Sequence, residues 1–234
     1  MPTLLVHGWW NISGAKMSKS LGNTVDPDAL ADIYGASALR YYLMSDIATG
    51  RDADFSEERL VQRHNVDLAN GLGNLVNRSL NMTRKYRGGS PNRVAMPEDL
   101  TGHLTLNFAA LSDYVRCMGE GQVQAALELM GGVVNRANAL VDASAPWKLA
   151  KEADQADRLD AVLTTLILSA RTAATMLLPV LPESAQEILG QLALDPEALG
   201  AERRGHLPEG YCCGEPKPVF PRLELRGPVE EKSQ

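Results

Sequence analysis

Leu159-Asp160-Ala161-Val162-Leu163-Thr164-Thr165-Leu166-Ile167-Leu168-Ser169-Ala170 is the stretch on which the fold turns. Leu159, Val162, Leu163, Leu166, Ile167 and Ala170 recur at steps of three and four, the spacing of one stripe along an α-helix. The pattern predicts a helix over 157–178 with that stripe turned inward. Thr164 and Thr165 interrupt the apolar run and Arg171 and Pro179 follow it, so it falls well short of the roughly 18 residues a bilayer span needs. This is a helix of a packed core, and no membrane partner is expected.

Helical spacing continues on both sides. Toward the N-terminus, helices are predicted over 122–141 and 100–118, and before them a long one opens at Ser56 and runs to Tyr86. Ser56 suits the N-cap, and Glu57 and Glu58 sit where the helix dipole favours acids. Gly88-Gly89-Ser90-Pro91-Asn92 then breaks the chain. Earlier still, Asp26-Pro27 reads as an N-cap followed by proline at the first helical position, Leu30 and Ile33 give one turn of apolar face, and Gly35 ends it. A second short helix follows over 37–45. The first 24 residues are rich in Gly, Trp, Ser and Asn, with a β-like run at Leu4 to Val6 and then an exposed loop. Past 178, a helix over 183–192 follows Pro182. Beyond Pro208 the chain turns to Gly, Pro and Cys, and Lys217-Pro218-Val219-Phe220-Pro221 reads as an extended strap on the body, followed by a tail. No internal repeat is visible. The expected fold is mainly α, a helical bundle of four or five helices preceded by a small loop-rich connective segment.

With 44% apolar residues the chain can bury a core. Its 23 Lys and Arg against 29 Asp and Glu leave a net charge of −6, which excludes a polycation that coats nucleic acid indiscriminately. Any contact with nucleic acid must be local. Met1 to His7 lacks the basic region and long apolar run of a secretory signal, so a cytoplasmic location is expected. Cys117 and the adjacent pair Cys212 and Cys213 have no second CxxC or histidine pair nearby, and they read as reduced, structural or incidental thiols. His7, His64, His103 and His206 carry no metal spacing, and no metal site is expected.

The sharpest local feature is Lys16-Met17-Ser18-Lys19-Ser20, with Gly14 before it and Leu21-Gly22-Asn23 after it. Two compact cations and two hydroxyls in a mobile, glycine-flanked loop suit polyphosphate oxygens. Composition alone leaves a solvated surface loop equally open. The pentapeptide narrows it, because a given five-residue string arises by chance in a chain of this length with a probability on the order of 10⁻⁴.

On the helix opening at Ser56, advancing 100° per residue from Asn70 puts Asn74 at about 40°, Asn77 at about 340°, Arg78 at about 80° and Asn81 at about 20°. They share one face. Leu68, Leu72, Leu75 and Val76 fall between about 140° and 240°, the buried stripe. A plain solvent face is the ordinary reading of such polar positions, yet Glu, Lys and Arg usually fill them, and asparagine is a mediocre helix former. Four asparagines beside an arginine form donors and acceptors suited to unpaired base edges. From Asn74 to Arg93 the chain carries Arg78, Arg84, Lys85, Arg87 and Arg93 with no acid, a local charge of +5 that would attract phosphates. Trp147 follows Pro146, whose ring suits the first turn of a new helix; a tryptophan at such a corner is more often core than surface.

The pentapeptide resembles the KMSKS signature of class I aminoacyl-tRNA synthetases, and its surroundings resemble those of the methionyl-tRNA synthetase family. The likeness rests on His7-Gly8-Trp9, Gly22-Asn23, Val25-Asp26-Pro27, Gly35-Ala36, Leu39-Arg40-Tyr41-Tyr42-Leu43 and Asp54-Phe55-Ser56-Glu57-Glu58. Downstream, Asn74-Leu75-Val76-Asn77-Arg78, Ala145-Pro146-Trp147 and Leu149-Ala150-Lys151 resemble that family's anticodon-binding helical domain, and they argue against the isoleucine, valine and leucine enzymes. The resemblance implies a methionine-tRNA ligase: the loop closes over ATP, brought in with magnesium, while the methionine carboxylate attacks the α-phosphate. Lys19 then steadies the departing pyrophosphate, Lys16 supports it, and Met17, Ser18 and Ser20 complete the phosphate cradle. It also implies that Asn74 and Arg78 read the anticodon of methionine tRNA and that Trp147 stacks on one of its bases.

Members of the family place the HIGH signature, the methionine pocket and a zinc-bearing insertion ahead of KMSKS, whereas here fifteen residues precede Lys16. The expectation is a C-terminal portion, not competent as a ligase alone. A non-catalytic tRNA-binding module, or the trans-acting half of a split synthetase, is the alternative. The expected division is 1–55 for the KMSKS-bearing end of the catalytic region, 56–205 for the α-helical anticodon-binding domain, and 206–234 for the extended strap and tail.

Overall fold

The computed structural model describes residues 8–12, 14–18, 20, 22–195 and 205–226. The β-like run at Leu4 to Val6, His7, Lys19 and the tail beyond 226 lie outside the described residues. Two apolar clusters organise the rest, and the architecture is mainly α.

The smaller cluster holds the connective segment. Asp26 caps α1 (Pro27–Tyr34) by accepting from the Asp28 amide at 3.0 Å, and Gly35, at φ +86°, turns the chain into α2 (Ala36–Ser45). Leu30, Tyr34, Leu39 and Tyr42 meet Leu60 and Val61 of α3 (Glu57–Arg63), which opens at the Ser56 cap. The exposed loop expected after Leu4 to Val6 is partly strand. β1 (Trp10–Ile12) pairs antiparallel with β2 (Ala15–Lys16) and parallel with β3 (Ala53–Asp54), in the order β2-β1-β3. Two- and three-residue strands carry too little periodicity to be read locally. Trp10 packs against Tyr42 and Phe55 with ring centroids 5.5 and 6.3 Å away. Trp9, next to it in the chain, is 59% exposed, since adjacent strand residues point to opposite faces.

The long helix from Ser56 exists but changes register: α3 leads through a π-helical segment (His64–Gly73) into α4 (Asn74–Arg87). A β-carbon on Gly71 or Gly73 would lie 3.0 Å from the carbonyl oxygen of Val66 or Leu68, so glycine eases the wide turn. The uniform 100° step taken from Asn70 therefore fails across this segment, although Leu68, Leu72, Leu75 and Val76 are all buried as expected. Gly88, left-handed at φ +60°, ends α4.

The main core gathers around α8 (Ala156–Leu177), which α5 (Glu98–Gly119), α6 (Val123–Ser144), α4 and α9 (Pro182–Leu192) surround. Its predicted single inner stripe is corrected: every residue from Leu159 to Ala174 is buried, because a central helix has neighbours on all sides. Polar side chains survive there by bonding locally. Thr165 donates to Ala161 O, Ser169 to Thr165 O and Thr172 to Leu168 O. The strap is fixed where expected: Phe220 enters the main core, Asn65 both donates to and accepts from the Leu223 backbone, and Gln191 does the same with Lys217. No helix among the described residues is long and apolar enough to cross a membrane.

Candidate nucleic-acid interface and nucleotide loop

The lysine motif leaves a braced hairpin. Asp52 accepts the Trp9 amide at 2.7 Å and Asp54 accepts the Gly14 amide at 2.8 Å, which ties β1 and its turn to β3. Lys16 ends β2, so the motif begins in a strand and not in a free loop. Its ammonium sits 3.7 Å from the centroid of the exposed Trp9 ring, a cation–π contact. Asn23 staples the turn after Lys16, accepting from the Ser18 amide at 2.8 Å and donating to Lys16 O at 3.2 Å. The Ser18 and Ser20 hydroxyls are 2.7 Å apart, and Met17 is half-buried. Lys16 and Ser20 are exposed.

The helical part brings the other predicted residues to one edge. Asn74 donates to Asn138 Oδ1 at 3.3 Å and Arg78 donates to Asp142 Oδ1 at 2.8 Å. Both numbers rise by four on each helix, so α4 and α6 run parallel and the pairs stack as two rungs. Asn138 turns its other end to the π segment, donating to Gly71 O at 3.2 Å. Arg78 is 30% exposed and Asp142 69%, which makes this a solvated pair that orients a guanidinium more than it stabilises the fold. Asn77 and Asn81 lie exposed beside them, with Asn81 donating to the Asn77 side chain at 3.0 Å.

Just beyond Asp142, the left-handed Ala145 (φ +44°) ends α6, and Pro146 starts the short α7 (Pro146–Leu149). This turn buries Pro146 and leaves Trp147 40% exposed, so an aromatic surface stays open where a core position was the ordinary expectation. Lys148 and Lys151 beside it are also exposed.

The +5 patch needs correction. Arg87 donates to Asp160 at 2.6 Å, and Asp160 is 1% exposed, also accepting from the backbone and side chain of Asn92 at 3.1 Å each. That arginine neutralises a buried carboxylate. Arg78 faces Asp142, so Arg84, Lys85 and Arg93 remain as the exposed cations of the group with no ion pair among the described contacts. Sequence reading missed Asn138, Asp142 and Lys148. The four-residue step from Asn138 to Asp142 was visible, but its match to α4 depends on helix packing. Among the described residues no three His, Cys, Asp or Glu side chains converge as metal ligands.

Comparison with known proteins adds to this geometry. A family model described as tRNA synthetases class I (M) matches residues 1–80. The methionine–tRNA ligase of Fusobacterium nucleatum subsp. nucleatum is 36% identical over 229 residues, covering 95% of this chain and 36% of that protein. The Enterococcus faecalis enzyme of the same name is 39% identical over 228 residues, with coverages of 95% and 34%. In three dimensions, Mycobacterium tuberculosis methionyl-tRNA synthetase in complex with methionyl-adenylate superposes with a TM-score of 0.83 at 35% identity, over 92% of this chain and 43% of that one. By sequence and by fold, the chain is similar to a portion of methionyl-tRNA synthetases. It spans about a third of the length of the curated relatives it matches. The lysine hairpin and the two-rung face sit on different apolar clusters of this chain, the first on the small cluster and the second on the main core.

Proposed function

We propose that this chain serves a cytoplasmic methionine-tRNA ligase reaction, supplying the ATP-phosphate loop and the face that reads the anticodon of methionine tRNA. Residues 1–55 carry the loop, 56–205 the RNA face and 206–234 the strap and tail. The observation that carries this reading is the Asn74–Asn138 and Arg78–Asp142 ladder, whose second helix leads directly into the half-open Trp147. Arg78 offers a fork of donors to a base edge, and Trp147 offers a π-face to a base lifted from its stack.

At the loop, the methionine carboxylate is already ionised and attacks the α-phosphate of ATP without a general base. Charge grows on the departing pyrophosphate, and Lys19 with Lys16 meets it; magnesium enters as the counter-ion of ATP. In an intact ligase containing this segment, Lys19→Ala lowers the adenylation rate by about 10² to 10³ with methionine affinity nearly unchanged. An unchanged rate sinks the loop assignment. For the RNA face, Arg78→Ala should abolish the preference of the 234-residue chain for methionine tRNA over the same tRNA with a changed anticodon, while Lys85→Ala weakens both alike. Equal binding of the two RNAs by the unaltered chain refutes the reading. Binding that discriminates anticodons, in a parent whose adenylation ignores Lys19→Ala, selects the non-catalytic module.

A further inference from the structure

Cys212 and Cys213 stand side by side after α9, and neither has a part in the function above. Cys213 is buried, its side chain belonging to the main core, while Cys212 is exposed. The segment is pinned on both sides of the pair. Ser90 donates to Tyr211 O, the Cys213 amide donates to Gly89 O at 3.0 Å, and the Gly214 amide donates to Gln191 O at 2.8 Å. Both sulfurs border the space over Gly89, where a β-carbon would lie 3.0 Å from Cys212 Sγ and 3.7 Å from Cys213 Sγ. Gly89, at φ +98°, leaves this space free of a side chain.

The two thiols differ in what they can do. Burial, helped by the neighbouring Cys212, pushes the Cys213 thiol up, and Arg84 at the end of α4 offsets this only in part. Cys213 is thus protonated and screened from solvent, a poor first nucleophile, whereas an incoming reagent reaches Cys212. Cys117 is also buried, on α5.

We propose that Cys212 and Cys213 form a thiol–disulfide exchange site for a low-molecular-weight disulfide, with Cys212 as the attacking thiol and Cys213 as the resolving one. Cys212 gives its proton to water and its thiolate attacks one sulfur of the reagent. The reagent's S–S bond breaks, one small thiolate leaves, and a mixed disulfide stands on Cys212. Cys213 then gives its proton to the small thiolate already released and attacks Cys212 Sγ, the mixed disulfide breaks, and the second small thiolate leaves and takes up the proton that Cys212 gave to water. Two protein thiols are oxidised to one disulfide and one small disulfide is reduced to two thiols. The second step is intramolecular, and because adjacent Cα atoms lie only about 3.8 Å apart, closer than in most disulfides, the bond it forms is strained and readily reduced again.

The test uses the 234-residue chain incubated with glutathione disulfide, quenched with acid, alkylated and mapped by peptide mass spectrometry. The peptide carrying both cysteines should lose two hydrogens and carry no glutathione. Cys213→Ala should stop at one glutathione on Cys212, and Cys212→Ser should react about tenfold more slowly or less. Cys117 should be alkylated only after denaturation. The proposal is overturned if the unaltered chain stays reduced, if it holds glutathione as stably as Cys213→Ala does, or if Cys212→Ser reacts at the unaltered rate. Should Cys213→Ala not fold, the unaltered chain and Cys212→Ser decide the matter, because Cys212 is exposed and serine is close to cysteine in size and shape.

Discussion

Replacing Trp147 with alanine separates a stacking surface from a packing residue, because the two roles predict different sizes of effect on folding and on binding. The side chain is 40% exposed. Truncating a fully buried large aromatic costs about 3–5 kcal/mol, and scaling by the covered part leaves at most about 2–3 kcal/mol here. Relaxation of solvent into a half-open site brings that closer to 1–2 kcal/mol. Trp147→Ala should therefore remain folded, with a modestly lower urea midpoint. Loss of one base–aromatic stack costs about 1–3 kcal/mol, a rise in Kd of roughly 5- to 150-fold. Fluorescence anisotropy with a labelled methionine anticodon stem-loop at fixed salt measures it. Trp147→Phe should fall between the two. The salt dependence of Kd should not change, since no charge is removed. A folded Trp147→Ala chain with Kd within about twofold of the unaltered value refutes the stacking role.

Three further outcomes test the surroundings. Asp142→Asn releases Arg78 from a mostly exposed carboxylate, so the melting curve should move by less than about 0.5 kcal/mol while binding to any anticodon stem-loop tightens; a large loss of stability would contradict the solvated pair. Asp160→Asn leaves Arg87 facing no buried charge and should cost about 3–5 kcal/mol by urea denaturation, and a cost below about 1 kcal/mol would show that the cluster is not structural. Burial holds the His64 imidazole below its ordinary 6.5, against the Pro221 carbonyl that pulls it up. Below about pH 6.5 the unfolded chain binds the proton first, so stability falls as pH drops toward the lower native value. His103, lowered by burial and by Arg136, adds to the same slope. His64→Gln, which keeps an N–H for Pro221 O, should flatten part of the dependence between about pH 7.5 and 5.5, and an unaltered slope would remove His64 from the account.

The helices were legible because their signals are local. Asp26-Pro27, Ser56 and Gly88 mark boundaries through groups within a turn or so of themselves, and each boundary falls where these residues place it. The π segment was not legible, because its only trace is a pair of glycines whose need appears once the carbonyls of Val66 and Leu68 are in position. Of the proposed RNA face, Asn74, Arg78 and Trp147 could be named in advance. That Trp147 stays half-open follows from the left-handed turn at Ala145, a conformation no residue type announces there.

By itself the sequence determined the extent of the long helices, the lysine pentapeptide with its flanks, and the apolar stripes that must be covered, because periodicity and capping act over one to three turns. Tertiary structure decided which helix is central and buried on every side. It also set α4 beside α6 so that residues 64 positions apart form rungs, sent Arg87 to the buried Asp160, and left Trp9 in solvent while Trp10 packs. Those outcomes depend on which surfaces meet, and a charge or a ring carries no mark of its partner until packing brings the two within hydrogen-bond reach.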